Sequence, residues 1–484
     1  MRSFVNHGLK IGLFLVVLSF SAVAQQTYNN RNTLPEIGVV AADTLSLDKE
    51  MIIGDAVMRQ MRGQAPLIMD PVLDEYLQDL GNRLVVYADS AKFPFSFFWV
   101  NNDAINAFAF FGGHIGVHSG LIHYSNSESE LASVLAHEIS HVTQRHLARS
   151  MQAQQRSAPL ALASMLGGIL LAIANPEAGM AALASSQAAS AQMQIDYTRS
   201  NEEEADRIGI AMLARSGFDP NAAASFFATL NEQYRLVSQT PARLLSHPLT
   251  ESRVADARAR AANYPNVRVA SSTAYHLAKA RVKARYTFDE HFSLRYYKEA
   301  VASQPTDGAY YGLALAYLRN QQPGEAQPII EKLLQKAPEN LFYLDAATDI
   351  SLAQQRYDEA IERLAPHLER TPRNQVLVLN QANALIEAGR SQPAIKILKD
   401  FILVNEEHQL AYQLLTRAYE TAQDRKDMHQ SKAEVLALYG AYQRAVDELQ
   451  FAYNYTQDNY LDKQRIRARI KQLRAKEERL KRLQ

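Results

Sequence analysis

Hydrophobic and polar positions change their rhythm twice along this chain. Arg2 and Lys10 precede an apolar run at 11–18, and Ala22-Val-Ala24 then sets small residues at the spacing a signal peptidase reads. The run is about ten residues where a membrane span needs roughly twenty, so the pattern predicts an export signal at 1–24, cut after Ala24. From 25 to 45 no period is sustained, and that stretch reads as a linker. Between 46 and 265 helical periods mix with short strand patterns. Residues 93–100 are aromatic and β-branched, while 106–111, Gly112-Gly113 and 114–118 read as two strands around a tight turn. A small sheet beside helices is an α+β pattern. From 270 to 484 the strand signals stop and helical periodicity continues alone.

That second half repeats. Ala326, Ala360 and Ala394 recur every 34 residues, and Pro338 and Pro372 keep the same interval. Tyr317 lies where an aromatic would pack against the neighbouring unit, and weaker copies end at Pro305 and include Tyr419 and 441–449. The pattern resembles the tetratricopeptide repeat, a pair of antiparallel helices that stacks into a solenoid because one pair cannot bury its apolar face alone. The last helix, from about 463 to 484, carries ten Lys or Arg against two Glu, with Ile466, Ile470 and Leu473 as an apolar stripe. It reads as a solenoid cap with a solvated basic face, or as a peripheral contact with anionic membrane lipid.

The chemistry is concentrated at 136–146, AHEISHVTQRH. Ser127-Glu-Ser-Glu130 is a capping box, which predicts a helix from 127 to about 155. On it His137 and His141 lie about 40° apart and can hold one ion between them. His146 would be about 140° from His141, facing away as a surface or packing histidine. Glu138 flanks the pair. This is the H-E-x-x-H arrangement: two neutral imidazoles for Zn²⁺, and a carboxylate as general base toward water attacking a peptide carbonyl. A further ligand is needed, and 201–207, NEEEADR, offers Glu202 and Asp206 four apart on one helical face. Either could ligate, with Glu203 and Glu204 turned aside as a solvated charge run.

H-E-x-x-H followed by E-x-x-x-D resembles the signature of the M48 family of zinc metallopeptidases, and the segments at 106–109, NAFA, and 247–253, HPLTESR, are similar too. The resemblance implies one zinc per chain held by His137, His141 and Glu202. Glu138 would be the catalytic base, and Asp206 a residue that orients a ligand histidine or helps proton transfer. The expected architecture is an α+β zincin-like metalloprotease domain at 46–265, followed by an all-α tetratricopeptide-repeat solenoid at 270–484. With the export signal and the repeats, the resemblance implies a soluble periplasmic enzyme. Its clients would be misfolded or stalled outer-membrane β-barrel proteins, and the repeats would reach the barrel-assembly machinery. The rival is a chaperone-like assembly scaffold that binds clients through the repeats, with proteolysis secondary; an intact Glu138 favours the enzyme. His247 is expected to take the fourth zinc position at rest, since a catalytic zinc needs that position open. Arg253 would anchor its segment or stabilise the reacting carbonyl.

Composition narrows this further. A formal net charge of zero removes a global electrostatic case for nucleic acid. The absence of cysteine excludes disulfides and a lipid-modified cysteine. The uncharged stretch 159–174 is too short to span a bilayer and reads as a buried hairpin or as an apolar flap over the site. Substrate is expected as an added strand at a sheet edge near 114–118.

Overall fold

A computed structural model describes residues 45–157, 188–234, 247–265, 267, 269–456 and 459–481. The export signal, nearly all of the linker and the 159–174 stretch lie outside them. The described residues belong to one compact unit, 41–484. No helix among them is long and apolar enough to cross a membrane.

Helix α1 (Leu47–Gln64) starts where the Ser46 hydroxyl accepts from Lys49 N, and it buries Ile53, Val57, Met58 and Met61. After β1 (Leu67–Ile68), α2 (Pro71–Val85) is capped by Asp70, with proline in its first turn, where no amide partner is needed. Strands β2 (Ser96–Val100), β3 (Ala107–Phe110) and β4 (His114–His118) complete a sheet of order β1-β2-β4-β3. The β3–β4 hairpin turns through Gly112 and Gly113, at φ 80° and 83°. A Cβ at Gly113 would stand 2.4 Å from the Pro94 carbonyl oxygen, so glycine is required there. β2 and β4 run parallel. Residues 114–118 are therefore interior, between β2 and β3, which corrects the expected edge: β3 is the terminal strand beside the site.

After α3 (Ser119–Tyr124), the Ser127 hydroxyl caps α4 (Glu128–Thr143) as the capping box predicts. The long helix expected to 155 is not continuous. Arg145 adopts φ 51°, and a separate helix α5 (His146–Ser157) begins beyond it. A left-handed non-glycine residue costs of order 1 kcal/mol. Burial of the Arg145 side chain against Glu50 (Nε to Oε1 2.8 Å) and the Leu45 carbonyl (2.6 Å) offsets that cost.

Next come α6 (Ala188–Arg215), α7 (Ala222–Tyr234) and α8 (Glu251–Ala261). Gly209 lets α6 press on α4: a Cβ there would lie 3.2 Å from His137 N. The chain continues through α9 (Thr273–Val282) and α10 (Glu290–Ser303) into paired helices. These are α11 (Asp307–Arg319) with α12 (Pro323–Lys336), and α13 (Leu341–Ala353) with α14 (Tyr357–Arg370). Then follow α15 (Gln375–Glu387) with α16 (Ser391–Ile402), and α17 (Gln409–Thr421) with α18 (Arg425–Leu438). α19 (Tyr442–Tyr455) and α20 (Tyr460–Lys481) close the chain.

The pairs begin at Asp307, Leu341, Gln375 and Gln409, each 34 residues after the last. Their turns repeat as closely: Gln321, Gln355, Gly389 and Gln423 all take positive φ, between 56° and 72°. Ala326, Ala360 and Ala394 are fully buried.

One apolar core runs through both halves of the chain, joining Trp99, Ile115 and Leu135 to Tyr275, Tyr311, Tyr343 and Val376. Inside it Arg281 bonds Asp70 at the cap of α2 (2.6 Å), Asp345 on α13 (2.6 Å) and the Tyr311 hydroxyl (2.8 Å).

Candidate metal centre

His137 and His141 stand one turn apart on α4, and their Nε2 atoms approach to 3.0 Å. α6 brings Glu202 against them, with Oε2 3.3 Å from His137 Nε2 and Oε1 3.3 Å from His141 Nε2. His247, four residues before α8, adds Nδ1 at 2.9 Å from Glu202 Oε1 and 3.3 Å from His137 Nε2. One ligand atom from each of the four residues lies within 4.8 Å of the others.

A metal ion fits this group. Tetrahedral Zn²⁺ with bonds of about 2.0–2.1 Å separates its ligand atoms by about 3.3 Å, close to the spacings here. Two imidazole Nε2 atoms facing one another beside a carboxylate are also a natural cation cage. Three imidazoles and one carboxylate are a donor set that suits zinc.

The electrostatics agree. Burial would push the Glu202 carboxyl up, but His247, His137 and His141 around it prevail and hold it well below the ordinary range. Burial would likewise lower His137; the Glu202 charge and the Asp206 bond outweigh it and raise the ring to about 9. The cluster thus favours positive charge where the ligand atoms meet.

Behind the ligands, Asp206 Oδ1 accepts from His137 Nδ1 at 2.9 Å. Burial opposes the ionised Asp206, yet bonds from His137 and Arg253 hold its carboxyl down at about 2. Arg253 grips Asp206 through Nε (2.7 Å) and Nη2 (2.9 Å), and through Nη1 it reaches the Pro248 carbonyl (2.7 Å) and Glu202 Oε2 (2.9 Å). With those donors engaged and the side chain buried, Arg253 anchors the His247 segment.

Glu138 is buried beside the ligand group, with Oε1 3.5 Å from His247 Nε2. A cavity of about 310 Å³ opens here, walled on one side by Phe108, Ala109 and Phe110 of β3 and on the other by Glu138, His141 and His247.

Two residues depart from the sequence reading. His146 is a buried, packing side chain, but it does not face away from His141: its Nδ1 lies 2.9 Å from His141 Nδ1. Glu204 is not a solvated charge. It meets His146 Nε2 at 3.2 Å and Arg149 Nη1 at 2.8 Å. The His146 bond, with Arg149 and against partial burial, holds its carboxyl at about 2. The cause of both departures is the break at Arg145, which cancels the helical angle between His141 and His146. The one signal available was that His146 and Arg149, spaced for one side of a helical turn, could meet an acidic side chain.

Comparison with known proteins adds an independent line. The family model described as peptidase family M48 matches residues 71–261. The β-barrel assembly-enhancing protease of Escherichia coli is 45% identical over 478 residues, which cover 97% of each chain. That of Yersinia pestis is 44% identical over 472 residues, covering 96% of this chain and 97% of its own. The mitochondrial metalloendopeptidase OMA1 of Arabidopsis thaliana is 31% identical over 135 residues, 28% of this chain and 25% of its own.

Proposed function

The chain belongs to peptidase family M48, and from that metallopeptidase premise we propose that it is a periplasmic zinc endopeptidase that degrades misfolded or stalled outer-membrane β-barrel proteins and assists their assembly. The observation that carries this reading is the convergence of His137, His141 and Glu202 with Glu138 beside them.

One Zn²⁺ would be held by those three residues, and bound there it would polarise a scissile carbonyl and ease deprotonation of water. Glu138 takes the proton from the attacking water and returns it to the leaving amine. Asp206 keeps His137 oriented through Nδ1. His247 would be a further ligand to that ion at rest and would withdraw when a client enters; the carbonyl of the adjacent Pro248 is held by Arg253, which fixes the resting arrangement of the segment.

The client lies along β3. The Asn106 carbonyl accepts from His118 N, so by strand alternation the polar backbone groups of Ala109 face away from β4 and toward an added strand. Backbone pairing reads no side chains, which suits β-rich clients of varied sequence.

The 34-residue helical pairs support reading α11–α18 as tetratricopeptide repeats, a surface for clients or for the barrel-assembly machinery. The names of the two β-barrel assembly-enhancing proteases above, whose matches cover 97% and 96% of this chain, support the barrel substrates. A scaffold role through the same repeats is compatible with the enzyme.

Glu138→Gln separates the two. It should bind zinc as the wild type does and fail to cleave an unfolded barrel protein. Cleavage at the wild-type rate by this variant would remove Glu138 from the chemistry. Full support of barrel assembly without cleavage would make the scaffold role primary.

A further inference from the structure

His146 has no part in the reading above, yet it lies against a proposed metal ligand. Its Nδ1 stands 2.9 Å from His141 Nδ1, the ring nitrogen that points away from the ligand group. The rings meet edge to face, 4.8 Å between centroids at 80°. The other nitrogen, Nε2, faces Glu204 Oε2 at 3.2 Å, and Arg149 Nη1 holds that same oxygen at 2.8 Å.

Hydrogen-bond roles along this chain follow from chemistry. Glu204, gripped by an arginine, is an ionised carboxylate and can only accept. Neutral His146 must then donate from Nε2, which leaves its Nδ1 a bare acceptor. His141 accordingly donates from Nδ1 and keeps the lone pair of Nε2 free, aimed at Glu202 and His137 Nε2. Each link permits one direction, so the whole chain assigns one tautomer to His141.

His137 receives the same service from Asp206 directly. α6 therefore supplies Glu202 to the ligand group and, from Asp206 and Glu204, the carboxylate behind each histidine. The geometry depends on Arg145. On an unbroken helix His146 would stand about 140° from His141. The left-handed Arg145, held by Glu50, turns it back.

We propose that His146 is a positioning residue for the metal: with Glu204 it locks the tautomer and ring orientation of His141 and so raises metal affinity. This rests on the reading of His141 as a ligand. An outer partner of a ligating histidine is worth about 10- to 100-fold in metal affinity.

The test is zinc affinity of the full chain, measured by competition with a chromophoric chelator. His146→Leu, which keeps bulk and removes the acceptor, should weaken zinc binding by about 10- to 100-fold. His146→Asn, whose amide oxygen can sit near the Nδ1 position, should recover most of it. Equal affinity in wild type and His146→Leu, or equal loss in both variants, would overturn the proposal, the second pointing to packing alone. His141→Ala is the control on the underlying reading. It should lose far more affinity than His146→Leu, and unchanged binding there would sink the ligand assignment, and the proposal with it. Should His146→Leu fail to fold, nitrogen-15 shifts of the histidines in wild-type protein decide: protons on His141 Nδ1 and His146 Nε2 are expected, and the reverse tautomer on either ring refutes the relay.

Discussion

Replacing Arg281 with methionine tests whether one buried charge network joins the sheet to the helical pairs. The Arg281 side chain is 2% exposed and gives charged hydrogen bonds to Asp70 and Asp345, both of which are as deeply buried. Burial pushes both carboxyls up. Arg281, with Arg285 and Tyr286, still brings Asp70 below its ordinary value, whereas burial prevails at Asp345. Methionine keeps the apolar stem and removes the charge. Asp70 then retains the Tyr286 hydroxyl, and Asp345 the Asn380 amide, as direct partners. Stranding one side of a buried ion pair costs about 3–5 kcal/mol, a large share of the 5–15 kcal/mol that holds a typical domain.

The pH dependence distinguishes this from loss of packing. With Arg281 gone, the folded-state pKa of each stranded carboxyl rises above its unfolded value near 4. A raised folded pKa favours the folded state in acid and loses that advantage as pH rises through it. The deficit of Arg281→Met against wild type should therefore be larger at pH 8 than at pH 5. Urea unfolding followed by Trp99, the single tryptophan and fully buried, reports on the sheet, while circular dichroism reports on the helices. Both midpoints should fall together. A deficit below about 1 kcal/mol, one unaffected by pH, or a Trp99 transition that stays put while the helical one moves would refute the argument.

Three other outcomes are expected. Ala109→Pro removes a donor on the side of β3 away from β4, so it should slow cleavage of unfolded protein at least tenfold with little change in the melting temperature; unchanged cleavage would move the client off β3. His247→Ala should raise basal hydrolysis of casein while the protein still retains zinc, and a flat basal rate would place restraint elsewhere. His408 caps α17, its Nδ1 accepting from Ala411 N, and burial lowers its pKa to about 4. The unfolded chain takes up this proton near pH 6.5, before the folded one, so acidification from pH 7 to 5 should cost roughly 1–2 kcal/mol. His408→Asn keeps a capping oxygen and should flatten that slope; an unchanged slope would assign it to other groups.

What the sequence reveals of this molecule is set by the reach of one helical turn. The spacing of His137 and His141, that of Glu202 and Asp206, and the Ser127 cap are relations of three or four residues, and each stands in the structure where the pattern puts it. The Gly112-Gly113 turn and the 34-residue interval are likewise local chemistry, repeated. Strand order was not legible, because β4, which follows β3 in the chain, inserts between β2 and β3 and pairs in parallel with β2. Nor was the break after α4. Gln144-Arg145 contains neither glycine nor proline, and what holds Arg145 left-handed is a carboxylate 95 residues upstream. Misreading that one dihedral turned His146 away from His141 and left Glu204 without a purpose. Arg281 shows the same limit in another form. Set between Ala280 and Val282 on an apolar stretch, it could be suspected of burial, and burial of a guanidinium requires carboxylates. Which carboxylates they are, Asp70 and Asp345, depends on how α2, α9 and α13 converge, and that is fixed by the packing of the whole core.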